Sequence, residues 1–274
     1  MSNIYQIYLI SDSTGETLDR IFLALKAQFN NFNYKTNHFS FTRTENQIIK
    51  ILENCKNKQK NIILYTIVDS KLSKFLNTEA QKNNIPCFSV LGDLINNFSK
   101  LLNQNSLNLP SRQHILDDDY YKKIDAIQFT MNHDDGNAMS DIEKSDIILI
   151  GVSRTSKTPT SIYLANKGYK VSNIPIVNKN SIPENVKKNK FKKCIIGLIA
   201  EPKRLVEIRK NRMSSLKETG NQKYTSFQKI QDEVENSKST FIKFKWPVID
   251  VSRKSVEETA ASVIKIYEIN NKNA

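Results

Sequence analysis

The sequence predicts an α/β protein, with an N-terminal parallel-sheet lobe over residues 1–105 and a P-loop-containing α/β lobe over residues 106–274. Two observations predict it. Short apolar runs alternate with stretches of helical periodicity, a pattern that calls for a mostly parallel sheet covered on both faces. A buried strand, a polar turn and a helix then follow one another at residues 146–167, the context that a phosphate-binding turn needs.

In the first lobe, Ile4–Ile10 reads as a strand, and Glu16–Gln28 as a helix with Leu18, Ile21, Phe22 and Leu25 on one face. Tyr34–Phe41 is the next strand, and Glu45–Asn57 a helix that turns Ile48, Ile49 and Leu52 inward. Ile62–Val68 is a continuous apolar strand, Ser70–Asn83 a helix and Pro86–Val90 a fourth strand. No internal sequence repeat is found. The polar segment Asn103–Ser111, weakly periodic and followed closely by a helix at Asp117–Ile127, reads as a linker. The second series has strands at Asp146–Ile150, Val171–Ile176, Cys194–Ile199 and Val248–Val251. Its helices fall at Pro159–Lys167, Pro202–Arg212, Gln222–Lys238 and Ser255–Ile269, with Pro202 in a first turn where a missing N–H costs nothing.

With 274 residues and 25% charged side chains, the composition is globular. No stretch approaches a membrane span, and the N-terminus lacks the basic region and cleavage site of a signal peptide. Three scattered cysteines, Cys55, Cys87 and Cys194, read as buried thiols of a reducing compartment, which points to the cytoplasm. The net charge of +13 comes mainly from lysine, in a chain also crowded with Asn and Ile, as AT-rich coding would produce. Its densest run, Lys187, Lys188, Lys190, Lys192 and Lys193, is not interleaved with aromatics, so nucleic acid is an unfavoured partner. An anionic substrate or an acidic protein fits the charge equally well, and a homodimer is compatible with it.

The segment that carries chemistry is Gly151–Thr158, GVSRTSKT, between a strand and a helix. In a turn of this kind the backbone N–H groups of Gly151, Val152, Ser153, Arg154, Thr155 and Ser156 converge on phosphate oxygens at a helix N-terminus. Lys157 would neutralise the outer phosphate, Thr158 would ligate Mg²⁺, and Arg154 could hold a phosphate with its planar fork. Ser156 stands where the P-loop pattern has its second glycine, so it must take up a backbone conformation that a Cβ disfavours. The plainer alternative is a helix capped by Thr155 or Thr158.

Three further groups are candidates. Ser13, Thr14 and Gly15, in a turn at the end of the first strand, could contact phosphate, although for this turn alone a helix cap by Ser13 or Thr14 is the favoured reading. His133, Asp134 and Asp135 precede Gly136. They offer a base, two carboxylates and a metal ligand, or simply a polar turn. Arg209 and Arg212 lie on a cationic helix that could meet a phosphorylated or acidic partner, although such a run is more often a solvated face.

Taken together, Ser11–Leu18 (SDSTGETL), Ala126–Gly136 (AIQFTMNHDDG), Asp146–Ile162 (DIILIGVSRTSKTPTSI), Gly197–Arg212 (GLIAEPKRLVEIRKNR) and Val248–Ala260 (VIDVSRKSVEETA) resemble the pyruvate, phosphate dikinase regulatory proteins. The motifs run in order along nearly the whole chain, and the STGET form of the first favours this branch over its sister, which regulates phosphoenolpyruvate synthase. The resemblance implies a kinase-like second lobe and a bifunctional activity. One reaction phosphorylates a dikinase threonine with ADP as donor. The other removes that phosphate by attack of inorganic phosphate, releasing pyrophosphate. Gly151–Thr158 would be the nucleotide loop, with Lys157, Arg154, His133, Asp134 and Asp135 as catalytic candidates and Mg²⁺ as the metal. A base at His133 or Asp135 is then expected to matter more to the kinase direction. The competing readings are a P-loop small-molecule kinase or NTPase and a basic RNA-binding module.

Overall fold

The computed structural model of the chain describes residues 4–56, 60–112, 117–136, 139–178, 181–189, 192–216 and 224–272. Lys190 of the basic run and the expected helix start at Gln222 lie outside the described residues. The chain divides into two compact units, Met1–Ile115 and Leu116–Ala274.

The first unit runs β1 (Tyr5–Ser11), α1 (Glu16–Lys26), β2 (Tyr34–Phe39), α2 (Glu45–Lys56), β3 (Asn61–Thr66), α3 (Ser70–Lys82), β4 (Cys87–Ser89) and α4 (Gly92–Leu102). Its four strands form a parallel sheet in the order β2-β1-β3-β4. Because strand side chains alternate between faces, Ile7, Leu9 and Leu64 pack with Leu18 and Phe22 of α1, whereas Tyr8, Ile10, Ile63 and Tyr65 pack with α2 and α3. Asp69 starts α3 by accepting the Leu72 N–H at 2.8 Å, a cap that stabilises by about 1 kcal/mol.

Two inward faces differ from expectation by part of a helical turn. On α2, Ile48 and Leu52 are buried together with Ile51 and Cys55, while Ile49 is exposed; on α1, Leu25 is exposed. Helix α4 is not anticipated by the sequence reading, and none of its residues is buried. Ser111, from the segment read as a linker, accepts from the Arg43 guanidinium and donates to the Ser13 hydroxyl within this unit.

The second unit runs α5 (Asp118–Asn132), β5 (Ile147–Gly151), α6 (Lys157–Ala165), β6 (Val171–Pro175), α7 (Glu184–Lys187), β7 (Cys194–Ile199), α8 (Pro202–Leu216), α9 (Phe227–Lys243), β8 (Val248–Asp250) and α10 (Val256–Lys272). Two 3-10 turns, Asp134–Gly136 and Met139–Lys144, lead from α5 to β5. This sheet is also parallel, in the order β6-β5-β7-β8. One face buries Leu149, Ile196 and Leu198 against Leu164, Leu205, Val234 and Val263; the other buries Ile148, Ile150 and Ile195 against Ile142, Phe241 and Trp246. No helix among the described residues is long and apolar enough to cross a membrane.

The glycine in β7 sets how closely α9 approaches. A Cβ on Gly197 would lie 2.5 Å from the Phe241 ring. Gly197→Ala is therefore expected to lower stability by about 1–3 kcal/mol through overpacking, read as a shift of the urea midpoint at unchanged slope.

Candidate functional site

The turn after β5 is shaped by close approach. A Cβ at Gly151 would sit 2.5 Å from the Leu198 carbonyl oxygen and 2.7 Å from Thr155 Oγ1, so only glycine lets the chain leave the sheet here. Both Arg154 (φ 73°) and Ser156 (φ 56°) occupy the left-handed region. For residues with a Cβ this costs on the order of 1–3 kcal/mol each. Ser156 thus takes up the conformation that the missing glycine called for, directly before the first residue of α6. Neither threonine caps the helix: Thr155 Oγ1 donates to the Val152 carbonyl at 2.9 Å, and Thr158 Oγ1 donates to Asp134 Oδ1 at 3.0 Å.

Lys157 is buried at the first position of α6, with its ammonium donating to the carbonyls of Gly151 at 2.9 Å and Val152 at 3.0 Å. Burial pulls its pKa down to about 8; the carboxylates of Asp135 and Asp134 oppose that shift, and the cations of Arg154 and Arg209 reinforce it.

The Asp134–Gly136 turn is pinned to β6. Asn173, buried in that strand, donates its backbone N–H to the His133 carbonyl at 3.0 Å. Its amide nitrogen donates to Asp134 Oδ1 at 2.6 Å and to Ser161 Oγ at 2.9 Å. Asp135 (φ 50°) and Gly136 (φ 80°) are both left-handed, which swings the Asp135 carboxylate out to solvent. His133 is turned inward. Its Nδ1 lies 2.8 Å from the Phe129 carbonyl and so must donate, and its ring stacks on Phe129 at 3.8 Å. Its Nε2 is buried without a hydrogen-bond partner among the described residues. Of the two candidate bases, Asp135 is the accessible one.

Arg209 departs most from its sequence reading. Instead of lying on a solvated face it is 1% exposed. Its Nη2 donates to the Ser153 carbonyl at 3.2 Å and to Glu233 Oε2 at 2.7 Å, and Nη1 donates to the Tyr224 carbonyl at 3.2 Å. The guanidinium lies 4.8 Å from the centre of the Tyr224 ring. The Tyr224 hydroxyl in turn meets Ser153 Oγ at 3.2 Å and accepts from Arg154 Nε at 3.3 Å. Burial alone would raise that phenol, but the bonds to Ser153 and Arg154 and the charges of Arg154 and Arg209 outweigh it and lower its pKa. Arg212 is exposed, one turn further along α8. Asn173, Tyr224 and Glu233 were not among the sequence candidates. The only signal for Asn173 was an amide between Ser172 and Ile174 in a short strand.

The remaining candidates belong to the first unit. Ser13 is buried, Thr14 is exposed with its carbonyl accepting from Ser40 Oγ at 2.7 Å, and Gly15 is left-handed at φ 90°. The favoured reading of this turn as a side-chain cap is corrected: Gly15 holds the cap position of α1, and no side chain among the described residues bonds the helix end.

As a donor set, Thr158 and Asp134 suit Mg²⁺. The two hard oxygens are already within 3.0 Å of one another, and Mg²⁺ is commonly held by one or two carboxylates, a hydroxyl, water and substrate phosphate.

The profile of the kinase/pyrophosphorylase family matches residues 7–264, nearly the whole chain. The chain belongs to that family. A relative from Pelagibacter ubique, provisionally named a pyruvate, phosphate dikinase regulatory protein, is 64% identical over the full length of both chains. Proteins given the same provisional name in Bradyrhizobium sp. (38% identical, covering 97% of this chain and 95% of the relative) and Brucella anthropi (41%, covering 97% and 96%) are also similar.

The buried ammonium makes a pH prediction. The unfolded chain holds the Lys157 proton up to its ordinary value near 10.5, whereas the folded chain releases it near 8. Between those values the unfolded state binds more protons, so this group's contribution to stability rises with pH, by about 2–4 kcal/mol in all. Lys157→Met removes the titration. The variant is expected to be the more stable protein at neutral pH, with the gap narrowing as pH rises from 8 to 10.5 in urea melts.

Proposed function

We propose that this chain is a bifunctional regulator of pyruvate, phosphate dikinase, acting at the 151–158 turn on a threonine of that enzyme. The observation that carries the reading is the cluster formed by the Lys157 ammonium, the Thr158–Asp134 pair and the exposed Asp135 around one strand-to-helix turn. The family match and the names of its relatives support this reaction class and this partner.

In the kinase direction, the threonine hydroxyl attacks the terminal phosphorus of ADP, giving phosphothreonine and AMP. In the other, inorganic phosphate attacks the phosphothreonine and the threonine oxygen leaves, giving pyrophosphate. Both steps gather charge on bridging and terminal phosphate oxygens, so positioning and neutralisation carry the catalysis. The turn's amides and the α6 N-terminus would hold the phosphates. Lys157 already has two of its three donors on the Gly151 and Val152 carbonyls, so its charge is fixed in place while one proton remains for a phosphate oxygen. Arg154 would close over the anion from the solvent side. Thr158 and Asp134 would hold Mg²⁺, which when bound would supply positive charge to the phosphate oxygens.

The proton balance alters the expectation that a base serves mainly the kinase direction. The threonine oxygen loses a proton when it attacks and gains one when it leaves. A single carboxylate at Asp135 would act as base in the first reaction and as acid in the second. His133, buried and stacked, would position that carboxylate through the turn.

The test uses purified dikinase, ADP labelled at its β-phosphate, and phosphothreonyl dikinase with inorganic phosphate. Transfer of label to threonine and release of pyrophosphate are expected. Asp135→Asn should lower both rates by about 10²–10⁴-fold, and Lys157→Met should abolish both. Label transfer from ATP alone, to a small metabolite and without dikinase, would instead identify a metabolite kinase.

A further inference from the structure

The N-terminal unit repeats the layout of the second. Strand orders β2-β1-β3-β4 and β6-β5-β7-β8 are the same topology, and in each the first strand enters its helix through a left-handed residue, Gly15 or Ser156, with no side-chain cap among the described residues. This parallel is topological and does not depend on what the 151–158 turn binds. In such an order the chain leaves β1 and β3 on opposite sides, which opens a crevice at their carboxyl ends, the place where open α/β sheets take ligands. A cavity of about 240 Å³ lies there, lined by Ser11, Asp12, Ser13, Thr17, Thr66 and Arg112 among others.

Its floor is polar although it lies within a sheet. Ser11, Ser13 and Thr66 are 3%, 7% and 6% exposed. Thr66 Oγ1 donates to Ser11 Oγ at 3.1 Å, the Ser13 N–H donates to the same oxygen at 3.1 Å, and Ser111 Oγ donates to Ser13 Oγ at 3.0 Å. In all these bonds the Ser11 and Ser13 hydroxyls accept, so each keeps its own O–H for the cavity it lines. The first amides of α1 add donors at the positive end of its dipole. The exposed Arg112 guanidinium brings positive charge to the rim. Arg43 fixes the frame, with Nε on the Asp12 carbonyl at 2.9 Å and Nη2 on Ser111 Oγ at 3.1 Å.

One wall is acidic. Asp12 is 3% exposed, and its Oδ2 accepts the Val68 N–H at 2.7 Å. Burial holds its carboxyl above the usual range, against the Val68 bond and the Arg43 charge. A carboxylate beside convergent donors repels an oxyanion that carries no proton, and accepts a hydrogen bond from one that does. Sulfate has no such proton near neutral pH, nor does a phosphate monoester once its second proton is lost at about pH 6. Inorganic phosphate has one.

The geometry points to a second binding site, at the carboxyl ends of β1 and β3, that takes inorganic phosphate in a protonated form and rejects sulfate. It is distinct in sequence and in sheet from the 151–158 turn. The experiment is a titration of the ¹⁵N-labelled full-length protein at about pH 7.5, where inorganic phosphate keeps a proton and a monoester does not. Inorganic phosphate, sulfate and glycerol 3-phosphate are added in turn at matched ionic strength, and the backbone amides are followed by NMR. Saturable phosphate-induced shifts are expected at the amides of residues 13–17, with neither sulfate nor the monoester reproducing them. Arg112→Ala, an exposed change, should weaken the phosphate midpoint by roughly tenfold. Asp12→Asn should let sulfate in.

Absence of phosphate shifts at residues 13–17 would overturn the proposal, whatever happens at residues 151–158. So would sulfate or the monoester matching phosphate in the unmodified protein, or an unchanged midpoint in Arg112→Ala. If Asp12→Asn fails to fold, the comparison of anions and the Arg112 variant decide the matter.

Discussion

One buried ammonium organises the second unit. Moving a charged lysine out of water costs several kcal/mol even after a protein relaxes around it, and Lys157 is buried at the start of α6. Two backbone carbonyls face it at hydrogen-bond distance, and two carboxylates on the 134–136 turn lie close enough to oppose its desolvation. That this compensation is incomplete shows in the depressed pKa. A site whose central cation is under-compensated in the free protein is one that an incoming phosphate stabilises.

The requirement extends outward through the backbone. For the Gly151 and Val152 carbonyls to point at the ammonium, the turn must hold Arg154 and Ser156 in the left-handed region, which neither favours. The surroundings over-determine that shape. Thr155 closes back on Val152, Arg209 holds the Ser153 carbonyl from α8, Glu233 on α9 holds Arg209, and Tyr224 braces both Ser153 and Arg154. Arg209 therefore acts on the turn from behind, through a peptide oxygen. A lysine in its place would gather its donors on one nitrogen, where the guanidinium fork makes three bonds from two nitrogens set apart.

The parts that were legible in the sequence share a physical reason. Strands buried on both faces are continuous apolar runs, so the order of strands and helices could be read almost throughout, and β7 is found at the bounds expected from its sequence. The 151–158 segment could be read as a turn between strand and helix because the three are contiguous. What failed depended on partners distant in sequence. Whether Ile49 or Ile51 faces the core is settled by how α2 rests on the sheet. Helix α4 was missed although Leu94, Ile95, Phe98, Leu101 and Leu102 fall at helical spacing; it buries none of its residues. Arg209 reads as one more cation in a basic helix until Glu233, Tyr224 and Ser153 are brought around it. Ser13 and Thr14 are good capping residues by type, yet the left-handed Gly15 takes the cap position, and the Ser13 hydroxyl accepts from Ser111 instead.

The two units show how one topology can be given different electrostatics without any repeat in sequence. In the second, the residue that begins the helix is a lysine and the nearest carboxylates arrive from a separate turn, so positive charge sits at the centre and acid at the edge. In the first, the helix begins with Glu16, the turn itself carries the buried Asp12, and the arginines stand outside, one of them holding the loop by its carbonyl. A central cation attracts any phosphate, including the crowded diphosphate of a nucleotide. A central carboxylate surrounded by hydroxyls can accept only an anion that brings its own proton. The difference between attraction and selection is set by where the fold puts one charged side chain relative to the same uncapped helix end.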